Sequence, residues 1–196
     1  ITRGGVGEIS LTDQVTDSNT ATDLSLSTHT SSSSGDVTLN AITAKTVAVD
    51  ANSATGDINV NGLITTGSGN ITLDADNDII FAAAGDITST SGNVKINADK
   101  DASGGGTGGA LTMVDGTVIN SGTGTLDLDA DGNIVIGGLI TTNATGTAVN
   151  IASANGSITD AVATGSTDSD VDITASTTNA VVTLIAKNAI GTVSGD

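Results

Sequence analysis

Pairs of aliphatic residues recur along this chain, each pair split by a single residue and bounded by turn formers. The pattern runs GDVTLNA from Gly35, GDINVNG from Gly56, GNITLDA from Gly69, GNVKINA from Gly92, GTLDLDA from Gly124 and GNIVIGG from Gly132, with looser copies AVNIAS from Ala148, DVDITA from Asp170 and AVVTLIA from Ala180. Side chains of a strand alternate between its two faces. The pairs Val37 and Leu39, Ile58 and Val60, Ile71 and Leu73, Val94 and Ile96, Leu111 and Met113, Leu126 and Leu128, Ile134 and Ile136, Val149 and Ile151, Val171 and Ile173, and Val182 and Leu184 are therefore expected to face inward. Of the residues between them, Asn59, Thr72, Lys95, Thr112, Asp127, Asn150, Asp172 and Thr183 are polar or charged and only Val135 is not, which marks an outer face.

These segments are too short for helices, and Gly or Asn punctuates each of them, so the pattern predicts an all-β chain with almost no helix. One such strand cannot bury its own apolar face; recurring copies imply stacking round a shared core. The spacings are irregular, 21 residues from Gly35 to Gly56, 23 from Gly69 to Gly92 and 17 from Gly92 to Gly109. A coil of two or three strands accounts for that better than a hexapeptide left-handed helix, and the predicted fold is a right-handed parallel β-helix, a single β-solenoid over residues 1–196. At about 20 to 22 residues per coil and about 4.8 Å per strand layer, the expectation is about nine coils and a rod of roughly 45 Å. Asn40, Asn61, Asp74, Asn97 and Asp129 follow the pairs and are expected to turn the chain out of each strand, forming a ladder where they stack. Residues 1–34 lack the Gly-Asp phrase but alternate from Ile9 to Leu11 and from Leu24 to Leu26; they read as irregular first coils or a continuation from a preceding region. Residues 101–109 read as a protruding Gly-rich loop.

Composition sharpens this picture. There is no Trp, Tyr, Cys or Pro, one Phe and one Met, so Ile, Val, Leu and Ala must fill the interior. Without cysteine there is neither a disulfide framework nor a thiol site. Twenty-two acidic residues against five basic ones leave a net charge of −17. A phosphate backbone requires clustered Lys and Arg, so neither nucleic acid nor an anionic membrane surface is an expected partner. No apolar run is long enough to span a bilayer. The chain starts at Ile1 with no signal-like segment, which reads as a mature product or a piece of something longer.

Candidate chemistry is confined to carboxylates. Asp127, Asp129, Asp131 and Gly132 spell D-x-D-x-D-G, the opening of a calcium loop that gathers oxygens round one ion and ends in a bidentate Glu. That twelfth position is Gly138 here. Asp74, Asp76 and Asp78 form a parallel case, and Asp168, Asp170 and Asp172 a weaker one. Should the Asp74 and Asp129 turns stack in neighbouring coils, their carboxylates would repel or hold calcium between coils. The other reading is a polar outer face and a turn, so no cofactor is required and calcium is a candidate ligand only. No nucleophile and base can be paired round the lone His29, and no aromatic platform exists for a sugar, so an enzyme is not expected. GLITT occurs at Gly62 and Gly138, which raises an ice-binding threonine array. Such an array needs Thr at one outward position in successive coils, whereas Thr38, Asn59, Thr72 and Lys95 differ in chemistry.

The phrases GDITST from Gly85, GNITLDADNDI from Gly69 and TLDLDADGNIVI from Thr125 resemble the degenerate repeats of filamentous-haemagglutinin-like exoproteins and other giant bacterial surface adhesins, over roughly residues 35 to 196. The resemblance implies a right-handed β-helix, secretion across the outer membrane and a structural or adhesive role, with no catalytic residues. The expected function is a stiff segment of an extracellular surface or filament protein that meets a cell-surface or matrix ligand. The alternatives are a calcium-responsive binding module and a filament subunit that associates end to end.

Overall fold

Three parallel sheets, each built by one short strand per turn of the chain, make up the computed structural model, which describes residues 2–3, 9–10, 15–16, 23–28, 35–100, 108–162 and 171–191. The first sheet holds β1 (Thr2–Arg3), β4 (Asp23–Thr28), β7 (Thr46–Ala51), β10 (Ile71–Ala75), β13 (Val94–Ala98), β16 (Leu126–Ala130), β19 (Val149–Ser153) and β22 (Val182–Ala186). The second holds β2 (Ile9–Ser10), β5 (Val37–Leu39), β8 (Ile58–Val60), β11 (Ile79–Phe81), β14 (Leu111–Met113), β17 (Ile134–Ile136) and β20 (Ile158–Asp160). The third holds β3 (Val15–Thr16), β6 (Ile42–Ala44), β9 (Ile64–Thr66), β12 (Ile87–Ser89), β15 (Val118–Asn120), β18 (Gly138–Thr141) and β21 (Ile173–Ala175). The chain visits the sheets in turn and each strand pairs in parallel with its counterpart one coil away, which defines a parallel β-helix; among the described residues there is no helix. The same order runs back to Thr2, so the strands before residue 34 belong to the stack: Ile9 pairs with Val37 and Val15 with Ile42.

The coil count differs from the expected nine. Leu26, Val49, Leu73, Ile96, Leu128, Ile151 and Leu184 occupy one column of the first sheet, in steps of 23, 24, 23, 32, 23 and 33 residues. Third strands lengthen the ordinary coil, and the two long steps contain residues 101–107 and 163–170. Seven coils of three strands result, with β22 beginning an eighth, and the eight layers of the first sheet span about 34 Å. Of the Gly-rich stretch 101–109, only Gly108 and Gly109 lie within the described residues.

Eight of the ten aliphatic pairs are buried, from Val37 and Leu39 through Val149 and Ile151, and Phe81 lies among them between Val60 and Met113 of adjacent coils. The last two pairs are not. Val171 precedes β21 and is 72% exposed, while Val182 is 39% exposed. β21 and β22 end their sheets with one neighbour each, so no described coil covers their inward residues.

The third sheet is partly polar inside. Thr66, Ser89 and Thr141 point inward and are buried beside Ile64, Ile87 and Leu139. A buried hydroxyl costs free energy unless it has a partner. Thr66 Oγ1 donates to the Gly69 carbonyl at 2.8 Å and Thr141 Oγ1 to that of Gly124 at 2.7 Å, and at the same corner buried Ser121 donates its Oγ to Gly124 at 2.9 Å. Outward on this sheet, Thr43, Thr65 and Thr88 form a rank that Asn120 and Ile140 interrupt before Thr174. Thr38 and Asn59 stand on the second sheet and Thr72 and Lys95 on the first, so those four were never one rank.

The Asp or Asn directly before the first inward aliphatic residue of a strand is a clasp between coils. Asp36 Oδ1 accepts the Asp57 N–H at 3.1 Å, Asp57 Oδ1 that of Asp78 at 3.1 Å, and Asp78 Oδ1 that of Ala110 at 2.8 Å. Asn70 does the same for Asn93, Asn93 for Thr125, and Asn133 for Ser157, at 2.9 to 3.0 Å. At each sheet corner the clasp satisfies a backbone donor that the ladder alone would leave open.

Candidate functional site: an acidic corner

The carboxylates singled out in the sequence follow the outer face of the first sheet and the corner that leads to the second. One outward column reads Asp50, Asp74, Asn97, Asp129, Ala152; its neighbour reads Thr72, Lys95, Asp127, Asn150. Asp74 and Asp129 are thus two coils apart with Asn97 between them, about 9.6 Å along the stack, and it is Asp50 that lies beside Asp74. Asn40 and Asn61 directly follow β5 and β8 of the second sheet, whereas Asp74, Asn97 and Asp129 lie inside β10, β13 and β16, so these three do not turn the chain out of their strands and the expected ladder is divided.

Lys100 enters this corner from just past β13. Its Nζ pairs with Asp50 Oδ1 and lies 3.8 Å from Asp76 Oδ1, and the Asp76 side chain is only 6% exposed. The group nearest to a cation site therefore already contains a cation. Asp78 is turned away to its clasp on Ala110. Of the second motif, Asp127 Oδ1 accepts the Asn150 amide at 2.8 Å and Asp131 Oδ1 that of Asn155 at 2.6 Å, each bond joining adjacent coils. Among the described residues no three His, Cys, Asp or Glu side chains gather as metal ligands. Asp172 precedes β21, and His29, Asp168 and Asp170 lie outside the described residues.

Sequence reasoning passed over Asp50 and Lys100. The signal was present in the alignment of the coils: Asn97-Ala98-Asp99-Lys100 matches Asp74-Ala75-Asp76-Asn77 and Asp129-Ala130-Asp131-Gly132, with a cation only in the first. Lys100→Met keeps the alkyl stem and leaves Asp76 buried without its counter-charge. We expect a loss of about 1–2 kcal/mol in denaturant unfolding, discounted for the partial exposure of Lys100 and Asp50, and recovery in the double variant with Asp76→Asn. Equal stability of Lys100→Met and the parent would show that solvent screens the corner.

Burial pushes the carboxyls of Asp57, Asp74 and Asp129 above the ordinary aspartate range. The Asp78 N–H opposes this at Asp57, Lys95 and Lys100 oppose it at Asp74, and Asp127 adds to it at Asp129. A carboxyl raised in the folded state holds its proton more tightly there than in the unfolded chain. Stability from these groups thus grows as pH falls through the folded pKa and is complete below the unfolded value of 3.8. From these groups the melting temperature should rise as the pH is lowered from about 7 towards about 4, the reverse of ordinary acid denaturation; a steady fall over that interval in thermal melts would contradict it.

No family model, curated protein or solved structure matches the chain.

Proposed function

We propose that the chain is a structural and adhesive rod segment of an extracellular bacterial surface or filament protein. The observation that carries this reading is the in-register stacking of three parallel sheets, whose backbone hydrogen bonds run along the stack from coil to coil and are reinforced by side-chain clasps. Such a body is extended and filled by an aliphatic interior, and its net charge of −17 keeps like rods apart. The likeness of its repeats to filamentous-haemagglutinin-like adhesins supports the same reading. Antibodies against the chain should label intact, unpermeabilised producing cells or their shed filaments, and brief protease treatment of the cells should remove the label. Labelling that requires permeabilisation would overturn the proposal.

A further inference from the structure

Two Asn-Gly pairs occur in the chain, Asn61-Gly62 and Asn155-Gly156, and their surroundings differ. Asn155 is held by its neighbours. Its Nδ2 donates to Asp131 Oδ1 at 2.6 Å, its Oδ1 accepts from Lys187 Nζ at 2.5 Å, and its carbonyl oxygen accepts from Asn188 Nδ2 at 3.0 Å. The next N–H, that of buried Gly156, donates to Ser153 Oγ at 3.0 Å.

Asn61 directly follows β8, where the chain turns from the second sheet to the third, and it is exposed. Its own N–H donates to the Leu39 carbonyl at 2.7 Å, but among the described residues neither its side-chain amide nor the Gly62 N–H has a hydrogen-bond partner. Gly62 is fixed by the stacking: a Cβ there would lie 2.7 Å from the Ala41 nitrogen and 2.9 Å from the Asn40 carbonyl carbon. The contact between coils thus requires, after an exposed asparagine, the one residue with no side chain to shield its amide nitrogen. One coil earlier the same corner reads Asn40-Ala41.

We propose that Asn61 is a site of spontaneous deamidation, a modification the chain performs on itself with water as the co-reactant. The Gly62 nitrogen gives up its proton to solvent and attacks Asn61 Cγ; the Cγ–Nδ2 bond breaks and ammonia leaves, taking a proton back from solvent, which closes a five-membered imide. Water then opens the ring. Cleavage at Cγ leaves an aspartate at position 61, and cleavage at the α-carbonyl leaves an isoaspartate, whose backbone is one atom longer. Either product adds a negative charge to a chain already at −17. The longer backbone has little room, because residues 61–63 alone join β8 to β9 and the Ile42 N–H donates to the Leu63 carbonyl at 2.9 Å. At Asn155 the same reaction must first break the bonds to Asp131 and Ser153, so it waits on local opening.

The test incubates the whole folded chain in mildly alkaline buffer made with heavy-oxygen water and follows each asparagine by peptide mass mapping, beside a sample unfolded in urea. In the folded chain Asn61 should convert at least about tenfold faster than Asn155, and in urea the two should convert at similar rates, since both precede glycine. Asn61→Gln, which cannot close the five-membered ring, should remove the early acidic band on isoelectric focusing. The Ile42 amide should exchange faster in the incubated chain than in Asn61→Gln treated alike. The proposal is overturned if Asn61 and Asn155 convert equally fast in the folded chain, if the gap between them persists in urea, or if another asparagine converts first. An acidic band that survives in Asn61→Gln, or an Ile42 amide that behaves alike in both incubated proteins, would overturn it equally.

Discussion

Ile71→Asp should cost about 5 kcal/mol or more, comparable with the whole stability of many domains. Ile71 is 0% exposed and lies in β10 between Val47 and Val94 of the neighbouring coils. The substitution removes an aliphatic side chain from two interfaces at once and places a carboxylate where no described cation faces it. Protonation would relieve the charge but leave the cavity and an unpaired hydroxyl. Ile71→Val, which only deletes a methyl group, should cost about 1 kcal/mol. Urea unfolding followed by circular dichroism reads both. Should Ile71→Asp melt with the parent, the inward assignment of every aliphatic pair would be in doubt.

The stacked geometry also says where that damage spreads. Each coil touches chiefly the one before and the one after, so stability is close to a sum of local terms and nearest-neighbour interfaces. Hydrogen exchange should therefore quicken most in β7, β10 and β13 and less in β16 and β19. A uniform loss of protection would instead mark the rod as one cooperative block.

Why so much of this rod could be read from sequence, and where reading stopped, is a matter of which faces are aliphatic. Strands of the first two sheets carry two apolar residues in alternation, and the pattern from Val37 and Leu39 to Val149 and Ile151 announced itself. The third sheet offers one aliphatic residue per strand beside a small or hydroxylated one, as in Ile42 with Ala44, Ile64 with Thr66 and Ile87 with Ser89. Those hydroxyls look like surface residues until the glycine carbonyls that accept their protons are in place, and those carbonyls belong to corners that only the folded chain assembles. The ordinary coil came out too short for this reason, and the two long steps, of 32 and 33 residues, lowered the coil number further. The carboxylates posed a different difficulty. Asp74 and Asp129 have the same local phrase, yet Asn97 separates them, because register depends on the order of whole coils rather than on any one motif. Lys100 reaches Asp50 across 50 residues of sequence, a distance over which no spacing rule operates.

The glycines of the repeat are the remaining sharp expectation, and Gly92→Ala tests them. A Cβ at residue 92 would fall 1.9 Å from the Gly69 carbonyl oxygen, far inside any real contact, and 2.9 Å from Ser89 Oγ, which accepts the Gly92 N–H at 2.8 Å. The obstacle is backbone, so no rotamer change can relieve it. Gly124 meets the Gly92 carbonyl in the same way at 2.1 Å, so Gly69, Gly92 and Gly124 stack in successive coils where the chain enters the first sheet. Adding one methyl group there must push neighbouring coils apart or break the Ser89 hydrogen bond, and we expect a loss of about 3 kcal/mol, at the upper end of overpacking costs. Gly67 provides the control within the same rod, since nothing lies within 4 Å of its hypothetical Cβ and its backbone is not in the left-handed region. Gly67→Ala should be neutral or stabilise by up to about 1 kcal/mol through the unfolded chain. The contrast separates the two roles glycine plays here: at residue 92 it allows one coil to lie on the next, and at residue 67 it is only a turn residue. Were the two alanine variants to unfold at the same denaturant concentration, the close stacking of the corner glycines would not be what sets the coil spacing.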